Sequence, residues 1–396
     1  MTILRSRLAL VFEFGASAAN SVVVQGIGIL ALPPALYGRF SLVYLVYGFS
    51  LSVGLSVICE PWVRSDRRGT WKNAAQMSVL LAVVFGLLAA IAGYVLLSVG
   101  QAALLGGAVM FAAYRAQARY FAAAMRNIRH VVPADAVSVL VTLMTWLLLR
   151  PSEGGLTALC FAWLAGSAAA TALSLRPFML SPAALGGWFR TYWRSIRVLW
   201  AESSILDLAN YAVPYTLAAT LDMAHLAVYL AASSLLVPVR LVLVPMRPIV
   251  AKHEQNWHAH PARIAVVVGG GVFLGLLAYA CLLCINSLGL VPKSTIHAIA
   301  TSYAVAMGVF VSVNFVSTYF YYVARVYAPA RALLLRRVVT SSLAIVVPLL
   351  AAFFLGLSGA LWARIIINGV DALIILLIVR GVPPAQTDQP MTSALG

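Results

Sequence analysis

The chain has 396 residues, of which 62% are apolar and only 10% are charged. A water-soluble globular domain carries about 25% charged residues to cover its surface, so this composition excludes one and predicts an integral membrane protein. Lysine and arginine outnumber aspartate and glutamate by 27 to 11, but they occur in short segments between apolar runs, which argues against a nucleic-acid partner.

Twelve apolar runs are long enough for helices that cross the hydrocarbon core, since such a helix needs roughly 20 residues. We therefore predict an all-α, polytopic membrane protein with twelve transmembrane helices. In chain order, the predicted spans lie near residues 8–32, 40–59, 75–98, 102–122, 131–149, 156–175, 198–221, 224–246, 264–285, 296–322, 338–357 and 360–379.

The basic residues predict the orientation of these spans. With both termini in the cytoplasm, 22 of the 27 lysines and arginines fall at the cytoplasmic side, including Arg115, Arg119, Arg336 and Arg337. Short loops on the cytoplasmic side carry such an excess of basic residues, and the opposite orientation would reverse it. We expect a multi-pass protein of the cytoplasmic (inner) membrane.

A faint internal repeat divides the chain into two halves. Glu13 and Asn20 in the first span are echoed by Glu202 and Asn210 in the seventh, at offsets of 189 and 190 residues. Transporters built from such repeats hold their substrate between the two halves. The prediction is two pseudo-symmetric six-helix bundles, at residues 1–175 and 198–380. A cytoplasmic linker at 176–197 joins them, and a disordered tail follows at 381–396.

The linker sequence predicts an amphipathic helix. One helical stripe carries three arginines, and a second stripe carries large apolar side chains, which is typical of a helix that lies along a membrane surface. The arginines are Arg190, Arg194 and Arg197, and the apolar residues are Phe189, Trp193, Ile196 and Trp200.

The stretch "SDRRGTWK" at residues 65–72 contains Asp66, Arg67 and Gly69, which match half of the loop motif of major-facilitator carriers. Trp62 stands where that motif has its first glycine, and Thr70 follows Gly69 where the motif has a basic residue. The second half of the chain has no copy of the motif. We interpret the stretch as a charged cytoplasmic turn.

The turn from the first span into the second contains Tyr37-Gly38-Arg39-Phe40. With the basic end of span four, Asp135 opening span five and "HLAVYLAASSLLVPVRLVLVPMRP" at span eight, it resembles the multidrug/oligosaccharidyl-lipid/polysaccharide (MOP) flippase superfamily, in its polysaccharide transporter and O-antigen flippase branch. The resemblance extends to about residue 380. Lipid II flippases of the superfamily carry two further spans, which argues against that branch.

The resemblance implies a flippase that moves a polyprenyl-pyrophosphate-linked oligosaccharide across the cytoplasmic membrane by alternating access. The headgroup would pass between the lobes while the lipid tail stays in the bilayer. Its partners would be membrane lipids, a polysaccharide polymerase and glycosyltransferases. The alternatives are a cation-coupled exporter of small molecules or drugs in the same superfamily, or a major-facilitator carrier.

Polar side chains inside apolar spans are the candidate site residues, because charged groups in a membrane are costly and usually functional. Glu13 and Asn20 share a face of span one, and Arg364, Asn368 and Asp371 share a face of span twelve, since residues three, four and seven apart align on a helix. The predicted substrate-cavity residues are Asn20, Asn210, Arg240, Arg364 and Asn368, and the predicted ion-coupling residues are Glu13, Asp207 and Asp371.

An enzyme that uses the same lipid-linked substrate, such as a multispanning polymerase or ligase, is the less favoured interpretation. Such enzymes place catalytic residues on a long external loop, whereas the longest predicted outer loop covers about residues 286–295. His253 and His258 are five residues apart, one more than in a zinc-protease helix, so they do not share a helix face. We therefore expect no catalytic residues, no metal site and no cofactor, although a carboxylate could couple transport to protons or sodium.

Overall fold

The computed structural model describes residues 19–64, 71–124, 131–153, 155–174, 182–234, 243, 255–287, 302–328 and 330–381. Every regular element in these ranges is helical, which confirms the predicted all-α class, and each predicted span overlaps a described helix. The helices are α1 Ala19–Ala31, α2 Pro34–Gly54, α3 Glu60–Arg64, α4 Trp71–Leu96, α5 Val99–Ala124, α6 Val131–Glu153, α7 Gly155–Ser174, α8 Pro182–Leu217, α9 Met223–Ser234, α10 Gln255–Ala259, α11 Pro261–Ser287, α12 Ala304–Tyr327 and α13 Ala330–Gly381.

The surface of the helices is apolar. Seven described helical segments are long and apolar enough to cross a membrane, and α1 and α9 are shorter apolar helices. Large side chains such as Leu87, Ile91 and Phe353 are 60%, 62% and 73% exposed. In water such exposure costs about 25 cal/mol per Å² of apolar surface, whereas in a bilayer the same side chains contact acyl chains. The protein is therefore a multi-pass membrane protein.

Helix α13 contains the last two predicted spans and a sharp turn between them. Gly356 has a φ of 62° and a ψ of −151°, a conformation that glycine adopts readily because it has no Cβ. Beyond the turn the chain doubles back, since Gly359 lies against the Ala351 carbonyl and Arg336 pairs with Asp371. A single glycine thus converts one continuous apolar sequence into two antiparallel helices.

Glycines bring two pairs of helices close together, one pair in each half of the chain. A Cβ on Gly106 would lie 2.8 Å from the Gly86 carbonyl oxygen, so α4 and α5 touch backbone to backbone. A Cβ on Gly308 would lie 2.9 Å from the Gly275 carbonyl oxygen, in the matching pair α11 and α12. Small residues permit such close approach between membrane helices. In each half, the close contact lies between the third and fourth of the six predicted spans.

Helix α2 forms much of the contact between the two halves. At its beginning, a Cβ on Gly38 would lie 2.5 Å from the Met223 carbonyl oxygen of α9. Further along, the Tyr215 hydroxyl of α8 donates a hydrogen bond of 2.8 Å to the Leu42 carbonyl. The end of α2 that the charge distribution places at the outer side is therefore closed against α8 and α9.

At the other end of α2 lies a π-helical turn, Leu55–Cys59, which continues into α3. The indole N–H of Trp188, in the linker, donates a hydrogen bond of 3.1 Å to the Val57 carbonyl in this turn. Single π-helical turns inside helices often mark functional positions. Here the turn presents a carbonyl to the segment that joins the two halves.

The linker is not a separate helix in the described residues. Residues 182–197 form the first half of α8, which is 36 residues long and runs on into the predicted seventh span. At 1.5 Å per residue such a helix is longer than a bilayer is thick. Residues 176–181 of the predicted linker lie outside the described part of the chain.

The exposed faces of the linker agree with the predicted stripes, with one difference. Phe189, Trp193 and Trp200 are exposed, as are the three arginines of the linker. Ile196, which the sequence placed with the exposed apolar residues, is buried with Trp188 and Tyr192. The reason is that the linker part of α8 has two apolar stripes, and the stripe that contains Ile196 packs against the π-helical turn and α3.

Asp222 directly precedes α9, at the predicted outer side. Its carboxylate accepts hydrogen bonds from the backbone N–H groups of Ala224 and His225, at 2.9 and 2.8 Å, and contacts the His225 ring. The His225 N–H is the main reason that the pKa of Asp222 lies below its usual value. Aspartate at this position stabilises a helix start, and so it fixes the helix that α2 contacts.

Candidate functional site

Two charge clusters lie inside the protein, one in each half. The N-terminal charge cluster consists of Arg115 and Arg119 on α5 and Asp135 and Ser138 on α6. Arg115 pairs with one oxygen of Asp135 and donates a hydrogen bond of 2.8 Å to the Ser138 hydroxyl. The Arg119 Nε lies 3.0 Å from the other Asp135 oxygen. Two guanidinium groups therefore share one carboxylate, and the cluster has a formal charge of about +1, since arginine stays protonated in proteins.

The local sequence explains how this cluster forms. Arg115 and Arg119 are four residues apart on α5, and Asp135 and Ser138 are three apart on α6, so each pair shares one helix face. Asp135 is only 1% exposed, and an unpaired charge at such a position would be costly. Its pairing with two arginines of the neighbouring helix compensates that cost.

Polar residues of α1 lie in the same half. The Thr142 hydroxyl of α6 donates a hydrogen bond of 3.2 Å to the amide oxygen of Asn20, a predicted cavity residue. The Tyr37 hydroxyl of α2 donates one of 2.6 Å to Gln25. Both α1 side chains are buried. The interior of this half is thus polar as well as charged, which is unusual for a packed membrane bundle.

The C-terminal charge cluster consists of Ser317 on α12 and Arg336 and Asp371 on α13. Arg336 donates two hydrogen bonds to Asp371, one of them from Nε at 2.7 Å, in a bidentate pair. The Ser317 hydroxyl donates a longer bond of 3.3 Å to the same carboxylate. The neighbouring Arg337 lies over the ring of Tyr321, with its guanidinium carbon 4.7 Å from the ring centre. Asp371 therefore pairs with a cation from the part of α13 that precedes the Gly356 turn.

Arg364 and Asn368, two predicted cavity residues, also point into the protein. Arg364 is close enough to the buried Tyr229 of α9 to interact electrostatically with its hydroxyl. The amide nitrogen of Asn368 is buried and makes no hydrogen bond to a described residue. Buried polar atoms without a protein partner usually contact water or a ligand.

Asp207 of α8 occupies a central position. It is 5% exposed, Ser52 of α2 lies within hydrogen-bonding reach of it, and Arg337 of α13 lies within electrostatic range. One of its carboxylate oxygens has no hydrogen-bond partner among the described residues. Asp207 is thus a buried carboxylate close to residues of both halves.

Three predicted site residues have side chains outside the described part of the structure. Glu13 and Arg240 lie outside the described residues, and so does the side chain of Asn210. Their proposed roles stay predictions.

The sequence does not single out the three arginines of the two clusters, or the neighbouring Arg337, as site residues. Arg115, Arg119, Arg336 and Arg337 all fall at the predicted cytoplasmic side, and the end of an apolar run does not reveal how deep a basic residue lies. Arg115 and Arg336 are buried and Arg119 and Arg337 are half-buried. One sequence signal could have identified two of them: Arg115 and Arg119 lie inside the predicted fourth span, four residues apart, and so share one helix face.

No family model matches the sequence, and no curated protein matches it. Solved structures do match it across more than nine tenths of its length, and they show its fold: the chain has the fold of a MATE transporter of the MOP superfamily and of the lipid II flippase MurJ. The predicted resemblance to that superfamily is confirmed at the level of the fold.

Three of the matching structures illustrate the likeness. The lipid II flippase MurJ in an inward closed conformation is 13% identical, with a TM-score of 0.65, over 93% of this chain and 87% of MurJ. An inward-facing multidrug resistance MATE family transporter is 14% identical, with a TM-score of 0.63, over 92% of this chain and 94% of the transporter. The eukaryotic MATE transporter AtDTX14 is 14% identical, with a TM-score of 0.56, over 96% of both chains.

Proposed function

We propose that the protein is a flippase that moves a polyprenyl-pyrophosphate-linked oligosaccharide, an exopolysaccharide or O-antigen type of unit, across the cytoplasmic membrane. The N-terminal charge cluster is the observation that supports this proposal most directly. Among the described residues of that cluster, two arginines share one carboxylate inside the protein. Arginine forms charge-assisted, often bidentate hydrogen bonds to phosphate oxygens, so such a cluster suits the pyrophosphate of the proposed substrate.

The proposed mechanism is alternating access between the two halves. Because α2 is closed against α8 and α9 at the predicted outer end, the described conformation suits loading from the cytoplasm, where the saccharide would be assembled. The halves would then rock and open the site to the outside, while the polyprenyl tail stays in the bilayer. A negative interior favours export of each negative charge by roughly 2.3 kcal/mol per 100 mV.

Asp207 is the better candidate for proton or sodium coupling. Both oxygens of Asp371 accept hydrogen bonds from Arg336, so a proton or a cation would have to displace a guanidinium there. Asp207 keeps one carboxylate oxygen without a described partner and lies near residues of both halves. We expect Asp207→Asn to abolish any dependence of transport on a proton or sodium gradient, measured in proteoliposomes with imposed gradients.

A second candidate function is export of small organic cations. The buried carboxylate of Asp207 favours a cation, and the fold is shared with multidrug MATE transporters. The two functions require opposite charge on the substrate, so they can be distinguished directly.

The test uses the full-length protein in proteoliposomes that contain a lipid-linked oligosaccharide. We expect the saccharide to reach the opposite leaflet, where a membrane-impermeant lectin detects it. We expect Arg119→Gln to slow this transfer at least tenfold. Arg190→Gln, which removes the same charge from the exposed linker, serves as the matched control and should transfer normally.

Transport of a lipophilic fluorescent cation without transfer of the saccharide would favour the exporter instead. In cells, loss of the protein should trap the lipid-linked saccharide on the cytoplasmic leaflet. The proposal also predicts functional partnership with glycosyltransferases and a polysaccharide polymerase, which would supply and consume the saccharide.

A further inference from the structure

We propose that a groove at the beginning of α11 binds the headgroup of an anionic phospholipid. The groove has a volume of about 520 Å³ and is lined by Trp257, His260, Ala262, Arg263 and Val266. That volume lies within the range of small-molecule sites in proteins, about 300–1,000 Å³. The site is distinct from both charge clusters and does not depend on the transported substrate.

The position of the groove indicates a lipid rather than a soluble ligand. Helix α11 presents an apolar face outward along its length, with Val266, Phe273 and Leu276 exposed by 65%, 65% and 61%. In a bilayer such an apolar face contacts acyl chains. Val266 belongs both to the face and to the groove, so the groove opens directly onto the bilayer at the predicted cytoplasmic end of α11.

The chemistry of the groove suits an anionic headgroup. The Arg263 guanidinium lies over the Trp257 ring, with its central carbon 4.3 Å from the ring centre. Stacking in this way orients the planar guanidinium and leaves its edge N–H groups available to phosphate oxygens. His260 adds a second polar group to the lining, and Trp at a membrane interface pairs an apolar ring with a polar edge.

The wall that carries Trp257 is held in place from inside the protein. His258, the next residue on α10, is 1% exposed, and its Nδ1 lies 2.9 Å from the Tyr319 hydroxyl of α12. The backbone N–H of Arg263 donates a hydrogen bond of 2.9 Å to the His260 carbonyl, which fixes the other wall. The groove is therefore preorganised, which lowers the entropy lost on binding.

A second stacked arginine–tryptophan pair provides a matched control. Arg150 lies over the Trp146 ring at 5.2 Å, at the predicted outer end of α6. This pair has the same chemistry as Arg263 and Trp257, but Arg150 and Trp146 do not line the groove. Arg263→Ala and Arg150→Ala thus remove the same charge and the same stacking contact from opposite ends of predicted spans.

The experiment measures retained lipid by native mass spectrometry. Full-length protein is reconstituted in vesicles of phosphatidylglycerol and phosphatidylcholine in equal amounts and then extracted in mild detergent. We expect the wild type and Arg150→Ala to retain one phosphatidylglycerol molecule in preference to phosphatidylcholine. Arg263→Ala should reduce this retention at least tenfold, and Trp257→Phe, which keeps a ring beneath the guanidinium, should reduce it less.

Thermal unfolding in lipid-free detergent checks that each variant is folded, and Arg263→Gln replaces Arg263→Ala if that variant is not folded. Equal retention of the two lipids by the wild type would overturn the proposal, as would equal loss in Arg150→Ala and Arg263→Ala. Displacement of the bound lipid by millimolar inorganic phosphate would also overturn it, because the site would then recognise free phosphate.

Discussion

At the scale of single residues, the described interior is notable for charges that membrane helices usually avoid. Arg115, Arg119 and Asp135 in one half, and Arg336 and Asp371 in the other, form ion pairs between helices. Ion pairs satisfy charges that would otherwise be costly to bury. A substitution that breaks one of these pairs is expected to change stability as well as transport. A substitution that leaves the pairs intact is expected to change transport alone.

Asp371→Asn should destabilise the protein as well as impair transport. The reason is the ion pair, because the substitution leaves Arg336 buried beside a neutral amide. Removing one partner of a buried pair costs about 3–5 kcal/mol. The measurement is the thermal unfolding temperature in detergent, compared with transport in the same preparation.

The double variant Arg336→Gln/Asp371→Asn provides the control for this prediction. With both charges removed, the amides can hydrogen-bond to each other, and we expect most of the lost stability to return while transport stays impaired. An unfolding temperature of the single variant equal to that of the wild type would show that the pair contributes nothing to stability.

At the scale of secondary-structure elements, the contact between α8 and the π-helical turn of α2 joins the linker to the opposite half. Trp188 and Tyr192 are buried, and the Trp188 indole bonds the Val57 carbonyl. Helix α8 also contains Asp207 and Tyr215, which contact or approach α2 further along. A movement of α8 relative to α2 must therefore break several polar contacts in turn.

Trp188→Phe tests the contribution of the linker contact. Phenylalanine keeps most of the buried ring but cannot donate to the Val57 carbonyl, so we expect a loss of about 1 kcal/mol of stability. Hydrogen exchange in the π-helical turn should become faster. Trp193→Phe is the matched control, since Trp193 is 53% exposed, and it should change neither quantity. Equal effects of both substitutions would contradict the proposed contribution of the Trp188 hydrogen bond.

At the scale of the whole molecule, the two halves meet most closely where α2 touches α9. Gly38 lies so near the Met223 carbonyl that a Cβ would come within 2.5 Å of it. No larger residue fits there without separating the helices. The glycine therefore permits the close contact at the predicted outer end, and in the proposed mechanism this contact opens.

Gly38→Ala should shift the protein away from this closed state. We expect Leu226→Cys on α9, a position that is fully buried here, to react faster with a membrane-impermeant thiol reagent in the Gly38→Ala background. The four native cysteines are replaced beforehand. Gly269→Ala is the matched control, because a Cβ at Gly269 meets no atom within 4 Å, and unchanged reactivity in Gly38→Ala would argue against closure at this contact.

Much of the fold was predictable from the amino-acid sequence, because a bilayer requires long apolar helices whose backbone groups are satisfied within each helix. Twelve spans, the all-α class and the resemblance to the MOP superfamily followed from apolar runs and from local residues such as Tyr37-Gly38-Arg39-Phe40. The break at Gly356 lies two residues before the predicted gap between spans eleven and twelve. These features depend on residues close together in the chain.

The charge clusters depend on residues that are far apart in the chain, and their composition became evident only from the packed helices. Asp371 could be recognised as unusual, but its partner Arg336 could not, because that residue is also typical of a cytoplasmic loop. The same holds for Arg115 and Arg119. Hydropathy reports how a segment partitions into the bilayer, whereas the partner of a buried charge depends on which helix faces reach it, and that requires the three-dimensional arrangement.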